Sequence, residues 1–236
     1  MTAVGGPPLS TADGEGLAPA LRLQILTTEH WSLLSTRAMS WNEAFSRVGM
    51  FLSALSGAVV ALALVAGATG FSDGFMTFAL LLLPVVLFAG VGTFVRLVAI
   101  NGEDLRWVIG MNRLRHAYLE AAPELRPYFV TGWSDDEAGI MTTFGAVPGP
   151  GGFVHEFVTT PGLVAVVDGV VAGALAALIA VRSGADASVT LVGAVGVGVL
   201  TVALLAVHQY RRVVRPRGLL DARFPSDQAG SSTRKR

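Results

Sequence analysis

The stretch VGMFLSALSGAVVALALVAGAT, Val48 to Thr69, decides the fold. It lies inside an uncharged run bounded by Arg47 and Asp73. A helix needs ~20 mostly apolar residues to cross the ~30 Å hydrocarbon core of a bilayer, because no water is there to satisfy the backbone. Three more windows meet that test. FMTFALLLLPVVLFAGVGTFV runs from Phe75 to Val95, GLVAVVDGVVAGALAALIAV from Gly162 to Val181, and VTLVGAVGVGVLTVALLAVHQ from Val189 to Gln209. Only Gly70 to Gly74 separates the first two, and Arg182 to Ser188 the last two. The expected fold is an all-α membrane protein with four transmembrane helices as two hairpins, 48–95 and 161–210, plus cytoplasmic amphipathic helices.

Composition agrees. The 236 residues are 52% hydrophobic and 14% charged, with a mean hydropathy of +0.59. Lys+Arg and Asp+Glu both number 17, so net charge gives no reason to expect a nucleic-acid partner. Cysteine is absent, which removes disulfides, thiolate zinc sites and a cysteine nucleophile. Residues 1–19 are rich in Gly, Pro, Ser and Thr, have no apolar core of a signal peptide, and read as a disordered N-terminus.

Orientation follows from the distribution of Lys and Arg, which accumulate on the cytoplasmic side. Three precede the first span, five lie between the second and third, and eight follow the fourth. Arg182 alone falls in an outer turn. Both termini and the middle segment, 96–160, are therefore expected in the cytoplasm. Trp31, Trp41, Trp107 and Trp133 flank the spans where interfacial anchors are expected, with packing in a soluble core equally open for Trp133. Pro84 is expected to kink the second span.

In the segment 20–47, Trp31, Leu34, Ala38, Trp41, Phe45 and Val48 follow alternating three- and four-residue steps, the spacing of one helical face. Ser40 and Glu43 form an S-x-x-E capping box, so the first membrane helix is expected to start afresh near Ser40, with a bend there. Trp107, Met111, Leu114, Tyr118 and Ala121 repeat the spacing and predict a second amphipathic helix from about Glu103 to Ala122, stopped by Pro123 and Pro127. Two complementary stripes favour packing against each other in a small cytoplasmic bundle over lying on the membrane surface. Residues 128–160 lose helical periodicity and read as mostly loop. The tail, 211–236, is basic and reads as flexible, with anionic lipid headgroups as its expected contact.

Asp168 is the one formally charged residue within a span. Such a group costs several kcal/mol unless it finds a partner or water, and so marks a candidate site. At ~1.5 Å per residue it lies ~10 Å inside the cytoplasmic boundary. Ser53, Ser56, Thr93 and Thr201 fall at similar depth on the other helices, with Arg47 and Arg96 near enough to serve as counter-charge. The expectation is a polar layer around Asp168, acting as glue between helices, as a proton or cation site, or as a lipid pocket. Small residues at four-residue spacing, Ser53–Gly57–Ala61, Gly169–Gly173–Ala177 and Ala194–Gly198, are expected helix-packing faces within one chain or between copies.

Catalytic signals are weak. One membrane aspartate cannot make an aspartyl dyad, and His30, His116 and His208 are isolated. There is no Walker A loop, no G-x-G-x-x-G between strand and helix and no H-E-x-x-H, and no cofactor is implied. Asp135, Asp136 and Glu137, with His155 and Glu156 some twenty residues on, are oxygen and imidazole donors that match no metal motif.

ILTTEHWSLLSTRAMSWNEAFSRVGMFLSALSGAVVALALVA (25–66), WVIGMNRLRHAYLE and PYFVTGWSDDEAG resemble a group of bacterial four-span membrane proteins. The resemblance covers most of the chain between Leu21 and Tyr210. It implies the same topology and brings no activity, cofactor or catalytic residue. The preference for Arg, with a single Lys, fits a high-GC bacterium. Three classes stay open, with the bacterial inner membrane as the expected location: an interaction or scaffold protein with a homo-oligomer or protein partner, an oligomeric channel, transporter or membrane effector using Asp168, and an enzyme acting on lipid through the acidic run.

Overall fold

The computed structural model describes residues 17–145, 160–214 and 222–226. Among them there is no strand. Helix α1 runs without interruption over Pro19–Thr69, 51 residues, and α2 over Asp73–Ala121, 49 residues. A 3-10 turn over Pro123–Tyr128 and a short helix α3, Glu137–Thr143, follow. The chain then forms α4 (Thr160–Arg182) and α5 (Ala187–Gln209), which passes into a π turn over Tyr210–Val214. Four of these helices are long and apolar enough to cross a membrane.

Helix α1 packs on α2, α2 also on α4, and α4 on α5. The links between the long helices are short, and each uses a glycine in the left-handed region, Gly70 at φ +62° and Gly184 at φ +76°. Arg182 reaches Asp73 at 2.7 Å, so both links lie at one end of the molecule. Phe94, Leu97, Val98 and Val164 form the centre of the apolar core between α1, α2 and α4.

At 1.5 Å per residue α1 and α2 are each ~75 Å long, more than twice what a bilayer requires. The excess lies at the end opposite the links. There the α1 segment before Val48 and the α2 segment after Val95 form a paired stem, with Leu105, Val108, Met111 and Ile140 buried against Leu33. Burying each of these side chains contributes roughly 1.5–3 kcal/mol.

Several local expectations change. No helix starts at Ser40. Its hydroxyl donates to the Thr36 carbonyl at 3.1 Å, and Glu43 is taken by Arg96, so neither half of the capping box forms. The second amphipathic segment is likewise not a separate helix but the last turns of α2, which also runs on through Pro84. It stops where expected, before Pro123. Residues 128–145 contain α3, because Asp136 caps its N-terminus by accepting from the Gly139 N–H at 2.9 Å. Pro19, placed in the disordered N-terminus, opens α1, and residues 1–16 lie outside the described residues.

Candidate functional site

The stem is held by polar contacts as much as by its core. Arg37 makes a two-pronged pair with the buried Asp104, and Arg96 clamps Glu43 with two nitrogens at 2.9 Å while reaching Glu103. The Arg96 and then the Arg47 hydrogen bonds hold the Glu43 carboxyl down to about 2. Tyr118 donates to the Leu26 carbonyl at 3.1 Å and stacks on His30. Arg22 and Glu120 close the far end at 3.8 Å.

These contacts set the rotation of α1 about its axis, and it differs from the expected one. The face that meets α2 carries Leu26, His30, Leu33, Arg37, Ala44 and Phe51. The apolar series Trp31, Leu34, Ala38, Trp41 and Phe45 points outward instead, with Trp31 65% and Phe45 62% exposed. Apolarity alone favoured the outer series. Asp104, Glu103 and Glu43 need cationic partners, however, and a buried carboxylate left unpaired costs more than an exposed Trp. On α2 the expected stripe faces inward except at its last member, with Met111 and Leu114 buried, Trp107 and Tyr118 half-buried and Ala121 exposed.

The acidic run is a docking point for the chain's own tail. Asp135 is 1% exposed and accepts from the Phe224 N–H at 2.8 Å, the Arg223 N–H at 3.0 Å and Arg113 at 2.7 Å. Its own N–H donates to the Phe224 carbonyl at 3.2 Å. Asp136 accepts from both the N–H and the hydroxyl of Ser226, at 2.7 and 2.5 Å. Phe224 stacks on His116 at 4.4 Å between ring centres. Residues 222–226, expected to belong to a flexible tail, are thus bound to the stem.

A cleft of about 530 Å³ opens beside this contact, lined by His116, Glu120, Arg126, Trp133 and Ser226 among others. Trp133, for which a membrane anchor and packing in a soluble core were equally open, carries Arg126 over its ring at 4.9 Å. The metal reading of the acidic run is not supported. Asp135 and Asp136 are used by the tail and by α3, Glu137 is exposed, and His155 lies outside the described residues. Among the described residues no group of three potential ligands gathers.

Asp168 is fully buried, and among the described residues neither carboxyl oxygen has a hydrogen-bond partner. It faces Gly90 on α2, next to the Phe51 ring of α1. A β-carbon on Gly90 would overlap the carboxyl, so glycine makes the space it occupies. The expected polar layer does not assemble. Ser53 and Ser56 lie toward the outside of α1, and Thr93 and Thr201 donate at 2.8 Å to carbonyls of their own helices, Ala89 and Val197. Arg47 pairs with Glu43, and Arg96 with Glu43 and Glu103, so neither offers a counter-charge. The depth estimate was close, since Phe51 and Gly90 lie within three residues of Ser53 and Thr93, but helical phase turns the hydroxyls away.

Of the three small-residue faces, two meet. Gly169 and Gly173 of α4 lie against Gly198 and Ala194 of α5 so closely that a β-carbon on Gly173 would sit 2.8 Å from the Ala194 carbonyl oxygen. Ala177 and Ala194 border the same seam further along. Gly57 has nothing within 4 Å of its would-be β-carbon, and on α1 it is Ala58 that is buried. Ser53 and Gly57 therefore lie open, with Ala61 half-buried. No protein-family model matches the chain, and neither a curated protein nor a solved structure does.

Proposed function

We propose that the chain is a multi-pass protein of the bacterial plasma membrane whose work is assembly: it holds a rigid helical stem on the cytoplasmic face and presents one side of it to a protein partner. The four apolar helices serve as two transmembrane hairpins, a reading supported by the two short links at one end and the stem at the other. Among the described residues every Arg except Arg182 lies toward the stem end, which supports placing that end inside. Arg211 and Arg212, exposed at the end of α5, suit contact with anionic headgroups at that surface.

The observation that carries the reading is the outward apolar series of α1, Trp31 to Phe45, on a stem whose core is already complete without it. A helix face left to water is ordinarily polar. The test is the mass of the complex extracted from membranes in mild detergent. Leu34→Glu is expected to reduce it to a single chain, while Asp168→Asn leaves it unchanged. An unaltered complex in Leu34→Glu, or a single chain in the wild type, overturns the reading.

A second reading, an oligomeric proton or cation pathway through Asp168, is favoured by the two unpartnered carboxyl oxygens at span depth. It requires flux across liposomes carrying the protein, lost on Asp168→Asn at equal insertion. Absence of flux in the wild type sinks it.

A further inference from the structure

The outward series of α1 obeys a stricter rule than amphipathicity. Thr27, Trp31, Leu34, Ala38, Trp41 and Phe45 alternate four- and three-residue steps, and the register runs on through Val48, half-buried against the chain's own core, to the exposed Leu52 in the first span. A strict 3.5-residue repeat is the signature of a seam between two helices rather than of packing on a flat surface. α1 already uses an adjacent face for α2, so this second seam has no partner within the described chain.

We infer that the seam is covered by α1 of a second copy of this chain, in a parallel and in-register pair. This rests on the scaffold reading and names its partner. Three features select a second copy. Copies inserted in one membrane share one orientation, so equal residues stand at equal height above the bilayer and meet without any search for register. The positions beside the seam are Thr28, Ser35, Asn42 and Gly49 on one flank, which carry no charge, and His30, Arg37, Ala44 and Phe51 on the other, where Arg37 is neutralised by Asp104, so like copies do not repel. The charges Arg22, Arg37, Glu43 and Arg47 are drawn into pairs on the α2 side or within α1.

The bilayer cannot cover the seam. Because α1 continues unbroken from stem into span, Trp31 stands ~25 Å beyond Val48 along the helix axis. An interfacial helix must lie in the membrane plane to bury its apolar face.

The absence of native cysteine makes the test direct. Single-cysteine chains carrying Leu34→Cys, Ala38→Cys or Trp41→Cys are oxidised in native membranes beside Glu29→Cys, an exposed off-seam control. Disulfide formation requires Cα atoms within ~7 Å, so the seam positions are expected to cross-link about tenfold faster than the control. Equal rates at all four positions would mean random collision and overturn the inference. A complex larger than one chain, with no α1 cross-link, overturns the second copy but leaves the scaffold reading standing; a single chain in the membrane overturns both. Quenching of Trp31 by brominated lipid, in a protein retaining it as the sole tryptophan, would place the seam on the bilayer and also overturn it. Leu34→Glu with Phe45→Glu is expected to abolish cross-linking at Ala38→Cys while amide protection of Val108 persists, which separates loss of the seam from loss of the stem.

Discussion

Arg37 and Asp104, 67 positions apart, meet through two hydrogen bonds, Nε to Oδ1 at 2.6 Å and Nη2 to Oδ2 at 3.2 Å. This contact fixes how α1 is turned on α2, and so decides that Leu33 faces the stem core while Leu34 faces out. Removing Arg37 leaves a buried carboxylate without its cation. Because Arg37 is partly exposed, Arg37→Ala is expected to cost about 2–4 kcal/mol, at or just below the range for a fully buried pair. Faster hydrogen exchange at Leu105 to Leu114 would register it. Arg37→Leu combined with Asp104→Leu should recover most of the loss, and a double variant as unstable as Arg37→Ala would contradict the assignment.

The tail contact should depend on pH. Burial raises the Asp135 carboxyl, but the Phe224 N–H, Arg113 and the Arg223 N–H outweigh it, and the net shift is downward. Asp136 behaves alike: burial is outweighed by the Ser226 hydroxyl and the N–H groups of Gly139 and Ser226. A carboxyl depressed by docking lends its full stabilisation above its undocked pKa of ~3.9 and loses it as pH falls through the lower docked value. Residues 223–226 should therefore stay bound at neutral and mildly acidic pH and detach below about pH 4. Exchange at the Phe224 and Ser226 amides, corrected for the intrinsic rate, follows this directly. Asp135→Asn should free them at pH 7, and continued protection in that variant would show that the carboxylate is not what holds the tail.

Glycines on the two hairpins should differ sharply in tolerance. Gly173→Leu drives a side chain into the Ala194 backbone and is expected to cost at least about 1–3 kcal/mol, the range for overpacked interiors. Gly57→Leu meets open space and should leave the melting temperature in detergent unchanged within a degree or so. Equal sensitivity of the two would mean that the Gly57 face is packed in the isolated chain.

Asp168→Val should stabilise the protein. The carboxyl is buried without a partner, and replacing such a group by an apolar one of similar volume relieves roughly 1–3 kcal/mol. A higher melting temperature together with an unchanged complex would mark Asp168 as a cost retained for something other than assembly. A lower melting temperature would mean that a partner for the carboxyl exists in the membrane.

The windows beginning at Val48, Phe75, Gly162 and Val189 all reappear as long apolar helices, because an apolar run of about twenty residues is rare outside a membrane span. Pro123 ends α2 as expected, since proline acts through the local backbone. That Gly169, Gly173, Ala194 and Gly198 lie on close-packing faces was also legible, as only small residues permit such approach, while which faces meet was decided by the tertiary structure. Ser40 misled because a capping motif inside a helix forms only if the chain breaks there, and Arg96, 53 positions from Glu43, removed one half of it.

The sequence by itself determined the length and apolarity of the four long runs, the short links between them and the stop at Pro123, which depend on neighbours along the chain. Tertiary structure alone decided phase: which side of α1 meets α2, which way Ser53, Thr93 and Thr201 turn, and whether Asp168 has company. It also decided that Asp135 and Asp136 receive Phe224 and Ser226. The physical reason is the same throughout. A rotation of one residue about a helix axis, ~100°, leaves hydropathy and spacing almost untouched, yet it changes every long-range partner, and those partners are ion pairs and hydrogen bonds whose cost when unmade exceeds that of an exposed apolar face.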